Sequence, residues 1–212
     1  MTLREQPLGA FLAQAASSSP TPGGGALAAV GGALGAAMIA MTARLTEGRK
    51  QYEAVQAQVA ELAAASDRAR EALLDLAEAD ASAYEAVMAA MRLPRGDEAE
   101  RTARSAALQA ALIEATNVPA AVVQRCQEVL ALAETAAAIT NRNALGDVAT
   151  GAFLAEAGMR AAAVQAELNL AGIGDAAFTA AMAEQLRPAA AGAADRLAAI
   201  VATVRRRAAE RP

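Results

Sequence analysis

The chain has 212 residues, of which 55% are hydrophobic and only 2% aromatic, so it has the size of one domain, residues 1–212, whose core must be built from alanine and leucine on closely packed helices. A net charge of −4 argues against a general nucleic-acid binder. No histidine and a single cysteine, Cys126, remove every Ser-His-Asp arrangement, a structural zinc site and an internal disulfide, and fit a reducing cytoplasm.

Almost nothing in the chain reads as a strand, and Ala, Leu, Glu and Arg recur at helical spacing. The pattern predicts a short helix from about Leu3 to Ala16, with no basic region and apolar core that would mark a secretory signal. Pro20-Thr21-Pro22-Gly23-Gly24-Gly25 then leads into a run of small apolar residues without a charge until Arg44, predicting a helix over Gly23–Leu45. Proline suits a first helical turn, and glycines there leave backbone N–H groups bare at the positive end of the helix dipole, a place for an anion or a polar ring. Each glycine costs about 1 kcal/mol relative to alanine, so the cluster needs a reason. A tight helix crossing through Gly31 and Gly35 is one reason and is compatible with a ligand at the helix start. The run is long enough to span a bilayer, but it has few large apolar residues and no aromatic anchors, so no membrane partner is expected. No Lys-Ser/Thr follows the glycines as a P-loop requires.

A long helix is expected from Arg49 to Met91, ended by Leu93-Pro94-Arg95-Gly96, and another from Asp97 to Ile139, interrupted at Asn117-Val118-Pro119. A helix follows from Asn143 to Leu170, ended by Gly172 and Gly174, and the last runs from an Asp175 N-cap to about Arg207. Arg205-Arg206-Arg207 reads as a solvated last turn that complements the helix dipole.

Several polar residues fall where the periodicity wants apolar ones. Asp80 lies on the helical stripe of Leu73, Leu76, Ala77, Tyr84, Val87 and Met91. A carboxylate there must bond a backbone N–H or an arginine, or serve a site. On the Asn143–Leu170 helix, Asn143, Asp147, Gln165 and Asn169 share one face with Gly151, Leu154, Gly158 and Ala161. That face reads as an inward stripe of one carboxylate and three amides, either a ligand site or a polar network that fixes dimer register. Arg49-Lys50, between the second and third helices, can hold a carboxylate or phosphate, or simply be solvated. Cys126 reads as a small core hydrophobe.

These segments, in this order, resemble the cyclodeaminase/cyclohydrolase family: Pro20–Gly25 with its small-residue helix, Gly48-Arg49-Lys50-Gln51-Tyr52, Asp80-Ala81-Ser82-Ala83-Tyr84, Met91-Arg92-Leu93-Pro94, Val118-Pro119, Asn141-Arg142-Asn143-Ala144-Leu145-Gly146-Asp147 and Asn169-Leu170. The chain departs from the family at two places, with Gly146 where serine is usual and Gln165 where asparagine is common. The resemblance implies an all-α, multi-helix antiparallel bundle with long helices, forming a homodimer, and a reduced folate as the ligand. It implies hydrolysis of 5,10-methenyltetrahydrofolate to 10-formyltetrahydrofolate, with formiminotetrahydrofolate cyclodeamination and non-catalytic folate binding as alternatives. No metal or other cofactor is implied. Asp147 is expected as the base, with Asp80 as second carboxylate. Pro22, Gly23, Gly24, Gly25, Asn141, Asn143, Gln165 and Asn169 are expected to bind the pterin or orient water, and Arg49 and Lys50 to hold the glutamate tail.

Overall fold

The computed structural model describes residues 3–210, with the side chains of all of these except residues 188–191. Among the described residues there is no strand. The helices are α1 (Leu8–Ala15), α2 (Gly24–Arg44), α3 (Gln56–Arg92), α4 (Glu98–Ile139), α5 (Leu145–Leu170) and α6 (Ala176–Ala209), with 3-10 turns at Leu3–Glu5, Lys50–Val55 and Arg142–Ala144. Pro7 sits at the N-cap of α1 in an extended conformation, so the first expected helix is split into a turn and a helix. Non-helical backbone at Tyr52 delays α3 to Gln56, and α5 begins at Leu145, not Asn143, because Arg142–Ala144 form a 3-10 turn. Asp175 caps α6 as expected, accepting from the N–H groups of Ala177 and Phe178.

The expected interruption at Pro119 does not occur, and α4 runs unbroken from Glu98 to Ile139. Proline removes the N–H that would bond the carbonyl four residues back, here that of Ala115. Asn169 Nδ2 donates to the Ala115 carbonyl at 2.6 Å and supplies the missing bond. The helix survives because a neighbour completes it.

Helices α2, α3, α4 and α5 alternate in direction and enclose the core, with α6 laid against α4 and α5. α2 is the central element. Its sequence, without a charge from Gly24 to Ala43, lets it contact α3, α4 and α5 together, and the α2–α5 crossing is close. A Cβ on Gly35 would lie 2.7 Å from the Gly151 carbonyl oxygen, and one on Gly158 would lie 2.6 Å from that of Ala28. Gly35 and Gly158 must be glycine or the backbones separate. Gly31 is looser, 3.8 Å from the Leu154 carbonyl, so Gly35 rather than Gly31 sets the crossing. Cys126 is fully buried against Gly32, and burial pushes its thiol up to about 12. It is core, as expected. Arg207 is not simply solvated: it donates to the carbonyls of Ala137 and Thr140, closing the C-terminal end of α4.

By length and composition α2 and α4 could each cross a membrane, yet 61% of the most apolar window of α2 is buried within the bundle. The remaining face of α2 is uncovered and wholly apolar. Leu27, Val30, Leu34, Met38, Met41 and Leu45 lie along it, with Leu34 53% exposed. The adjoining flank of α5 continues it through exposed Phe153, Val164 and Leu168.

Candidate functional site

The start of α2 builds the first site. Gly23 is the N-cap, in extended backbone, and the first turn meets the Asp80 carboxylate from α3. Ala26 N–H donates to Asp80 Oδ2 at 2.9 Å. The anion expected at this helix start is therefore the protein's own side chain, placed at the positive end of the α2 dipole. Both readings of Asp80 meet here, since it bonds a backbone N–H and also lines a cavity. Glycine is required for this approach. A Cβ on Gly25 would overlap Asp80 Oδ1, and one on Gly24 would lie 2.7 Å from Gln165 Nε2.

The cavity, about 370 Å³, is lined by Pro20, Thr21 and Gly23–Gly25, by Asp80, Tyr84 and Val87 of α3, by Leu112 and Ala115 of α4, and by Gln165 and Asn169 of α5. Asp80 is half-buried, and this burial raises its pKa above the ordinary carboxylate value, opposed by the Ala26 hydrogen bond. The apolar stripe around Asp80 is core only on one side. Leu73 and Ala77 are buried, whereas Tyr84 and Met91 are exposed because α3 runs on past the start of α2. Pro22 does not line this cavity but a hollow beside it, with Phe11 and Glu78. Glu78 Oε1 is buried there without a hydrogen-bond partner among the described residues.

The other expected residues lie elsewhere. Asp147 and Gln165 share a helical face, but eighteen residues of α5 separate them, about 27 Å along the axis. Asp147 is therefore not beside Asp80 in one chain, and Asn143, Arg49 and Lys50 sit with it at the far end of the bundle. The shared face is also not the inward one. Gly151 and Gly158 are buried against α2, while Leu154 is half-buried and Ala161 exposed.

At that far end the residues serve joints as well as a surface. Asn141 is 3% exposed and ties α5 to the end of α2: its N–H donates to Thr46 Oγ1 at 2.8 Å, and its Nδ2 to the Leu45 carbonyl at 3.3 Å. Asn141 Oδ1 accepts from Asn143 N–H. Arg49 Nε donates to the same Leu45 carbonyl at 2.6 Å, and Gly48 takes a left-handed turn, φ 67°, to bring the loop back. A second hollow, about 580 Å³, is lined by Gln51, Tyr52, Asn141, Arg142, Asn143 and Arg207. The Tyr52 hydroxyl accepts from Arg142 N–H at 3.0 Å. Arg49, Lys50 and Arg142 form no ion pair among the described residues.

The sequence does not assign Val87, Leu112, Ala115 or Arg207 to a site, although Val87 falls on the Asp80 stripe. Val87 is two turns from Asp80 on the same helix and was within reach of the periodicity. Leu112, Ala115 and Arg207 come from elements whose facing depends on the tertiary packing.

A family model described as formiminotransferase-cyclodeaminase matches residues 7–188. The chain is 42% identical to the methenyltetrahydrofolate cyclohydrolase of Methylorubrum extorquens over 79% of this chain and 81% of that protein. It is 32% identical to the formimidoyltransferase-cyclodeaminase of Sus scrofa over 87% of this chain, which spans only 34% of that longer protein. The crystal structure of formiminotetrahydrofolate cyclodeaminase from Thermotoga maritima superposes with a TM-score of 0.85 at 31% identity, covering 95% of this chain and 97% of that one.

Proposed function

This chain belongs to the formiminotransferase-cyclodeaminase family, and we propose that it is a methenyltetrahydrofolate cyclohydrolase acting in the cytoplasm as a homodimer, with a reduced folate as its only small-molecule partner and no further cofactor. The observation that carries the chemistry is the Asp80 carboxylate, anchored by Ala26 N–H in a cavity that also presents the amides of Gln165 and Asn169.

The bridge carbon of 5,10-methenyltetrahydrofolate is an amidinium cation and is already electrophilic. Water adds to it, the bond from that carbon to N5 breaks, and the water oxygen remains as the formyl oxygen on N10. One proton of the water passes to N5 and the other to solvent. The protein has to seat the flat pterin, place the water and accept a proton. Asp80 is suited to accept it. A carboxylate is drawn to the cationic bridge, and its raised pKa makes it a better base than an ordinary aspartate. The Gln165 amide can orient the pterin or the water, donating and accepting together. Asn169 spends one donor on Ala115 and keeps its carbonyl oxygen for the cavity.

The expected assignment of the base to Asp147 is replaced by Asp80, because within one chain Asp147 lies at the other end of α5. Loss of the methenyl chromophore, followed against the uncatalysed rate, tests the activity. Wild-type protein should accelerate it and Asp80→Asn should not. An unaccelerated wild type refutes the proposal.

Cyclodeamination of 5-formiminotetrahydrofolate is the second reading, favoured by the likeness to the Thermotoga enzyme. Both reactions pass through a tetrahedral bridge carbon. Ammonia released from the formimino substrate, without hydrolysis of the methenyl one, would select it.

A further inference from the structure

Gln109 of α4 does not line the Asp80 cavity, yet it holds the end of the helix that supplies both of the cavity's amides. α5 stops at Leu170, and the chain turns through Gly172-Ile173-Gly174 to the Asp175 cap of α6. Within the turn, Gly172 N–H donates to the Asn169 carbonyl at 3.2 Å and Ile173 N–H to that of Leu170 at 3.1 Å. The Gly172 carbonyl and the Gly174 N–H are left over, and Gln109 takes both. Its Nε2 donates to the Gly172 carbonyl at 3.0 Å, and its Oε1 accepts from Gly174 N–H at 2.7 Å. One amide, donating and accepting at once, closes a turn that its two glycines would otherwise leave loose.

The same stretch of α4 carries this contact on to the cavity. A Cβ on Gly172 would lie 3.1 Å from Leu112 Cδ1, and Leu112 is part of the cavity wall. Ala115, about 9 Å along α4 from Gln109, accepts from Asn169. Asn169 is next to the last residue of α5, and Gln165 lies one turn before it. Gln109 and Ala115 thus pin the end of α5 to α4 at two points. Asp80 is held separately, by α3 and the first turn of α2. The offset between the carboxylate and the two amides is therefore set at the joint of α4 and α5.

We propose that Gln109 is a positioning residue for this site: by clamping Gly172 and Gly174 it fixes the end of α5, and with it the height at which Gln165 and Asn169 stand over Asp80. That the site takes a folate rests on the function proposed above, whereas the clamp does not. The two bonds of Gln109 span 63 and 65 residues of chain, so they join α4 to the turn rather than brace α4 itself. A planar amide bonded at both ends fixes the orientation of the turn as well as its distance. Glutamate has no N–H for Gly172, and asparagine is one methylene shorter.

Gln109→Ala removes both bonds, and Gln109→Glu keeps only the acceptor for Gly174. In hydrolysis of the methenyl substrate both should raise KM, by roughly tenfold for alanine and less for glutamate, because the amides that orient the pterin are displaced while Asp80 is not. The pH at which kcat falls on acidification should stay at its wild-type value, since that limb belongs to Asp80. In a Gln165→Ala background the effect of Gln109→Ala on KM should shrink to about twofold, because Gln109 has lost a group through which it acts. An unchanged KM, an equal factor in both backgrounds, or a loss of kcat alone overturns the inference. If Gln109→Ala does not fold, Gln109→Glu decides the same comparison. The side-chain amide resonances of Gln165 and Asn169 in a nitrogen–proton correlation spectrum need no turnover. Both should move in Gln109→Ala, and resonances that stay in place confine the clamp to the turn and overturn its positioning role. Shifted resonances with a wild type that does not accelerate hydrolysis refute the folate assignment and leave the clamp supported.

Discussion

Asn169 completes the α4 helix at Ala115. Its side-chain amide donates at 2.6 Å to the carbonyl that Pro119 leaves without a helical partner. The bond joins α5 to α4 at the rim of the Asp80 cavity, where Ala115 and Asn169 both line the wall. Asn169 therefore has a structural duty apart from any contact with substrate.

Removing it should expose that duty. Asn169→Ala leaves the Ala115 carbonyl unpaired and should cost about 1–2 kcal/mol in urea unfolding. Pro119→Ala restores a backbone N–H for the same carbonyl. In the Pro119→Ala background the Asn169→Ala cost should fall to a few tenths of a kcal/mol. An unchanged cost in both backgrounds would show that the two residues are not coupled.

Pro22 and Pro119 are legible in the sequence to different degrees. Pro22 signals the start of α2, although it precedes the N-cap Gly23 and does not occupy the first turn. Pro119 reads as a break in the sequence because its remedy, Asn169, lies 50 residues along the chain and only packing brings it near. The helices, the α2 glycines and the place of Asp80 could all be read, since angle around a helix follows from spacing. Whether Asp147 and Gln165 meet depends on distance along the helix, and a shared face does not provide that. Asn141, Arg49 and Arg207 sit at helix ends, and their bonds to Leu45, Ala137 and Thr140 follow from how the bundle closes.

The glycine at position 25 is held by Asp80. A Cβ there would lie 2.6 Å from Asp80 Cγ, so Gly25→Ala must push the carboxylate off the Ala26 N–H. Intrinsic helix propensity favours alanine by about 1 kcal/mol, so any loss of activity would arise in the site rather than in the helix. Turnover should fall by roughly tenfold or more, equivalent to about 1.4 kcal/mol. Gly9→Ala, where nothing lies within 4 Å of the added carbon, should leave it unchanged.

Asp80 also gives stability a pH dependence of defined sign. Its folded pKa is raised by burial, so the folded chain binds its proton more readily than the unfolded one. The corresponding stabilisation is present below the unfolded pKa and is lost as pH rises through the folded value. Asp67 behaves oppositely. The Arg44 hydrogen bond lowers its pKa, and its stabilisation is lost as pH falls through the folded value. The difference in unfolding free energy between wild type and Asp80→Asn isolates the first effect. Wild type should gain on the variant as pH falls from the raised Asp80 value to the ordinary carboxylate range. A difference that does not change with pH would show that Asp80 is not perturbed. The wild-type hydrolysis rate should fall on acidification as the Asp80 carboxylate takes up its proton.

Gly146 stands where the family usually has serine, beside Asp147 in the first turn of α5. A Cβ built on it meets nothing within 4 Å, so glycine is not required there by packing, unlike Gly25 or Gly35. Serine has the higher helix propensity, and Gly146→Ser should stabilise the chain by a few tenths of a kcal/mol. Gly146→Ala should do at least as much. The two variants differ only in the hydroxyl. Where Asp147 contacts the substrate, as the family resemblance implies, that hydroxyl stands beside it. Gly146→Ser should then shift KM for the methenyl substrate, whereas Gly146→Ala should not. Equal KM values for the two variants would place Gly146 outside the site and make its departure from the family pattern a matter of helix stability alone.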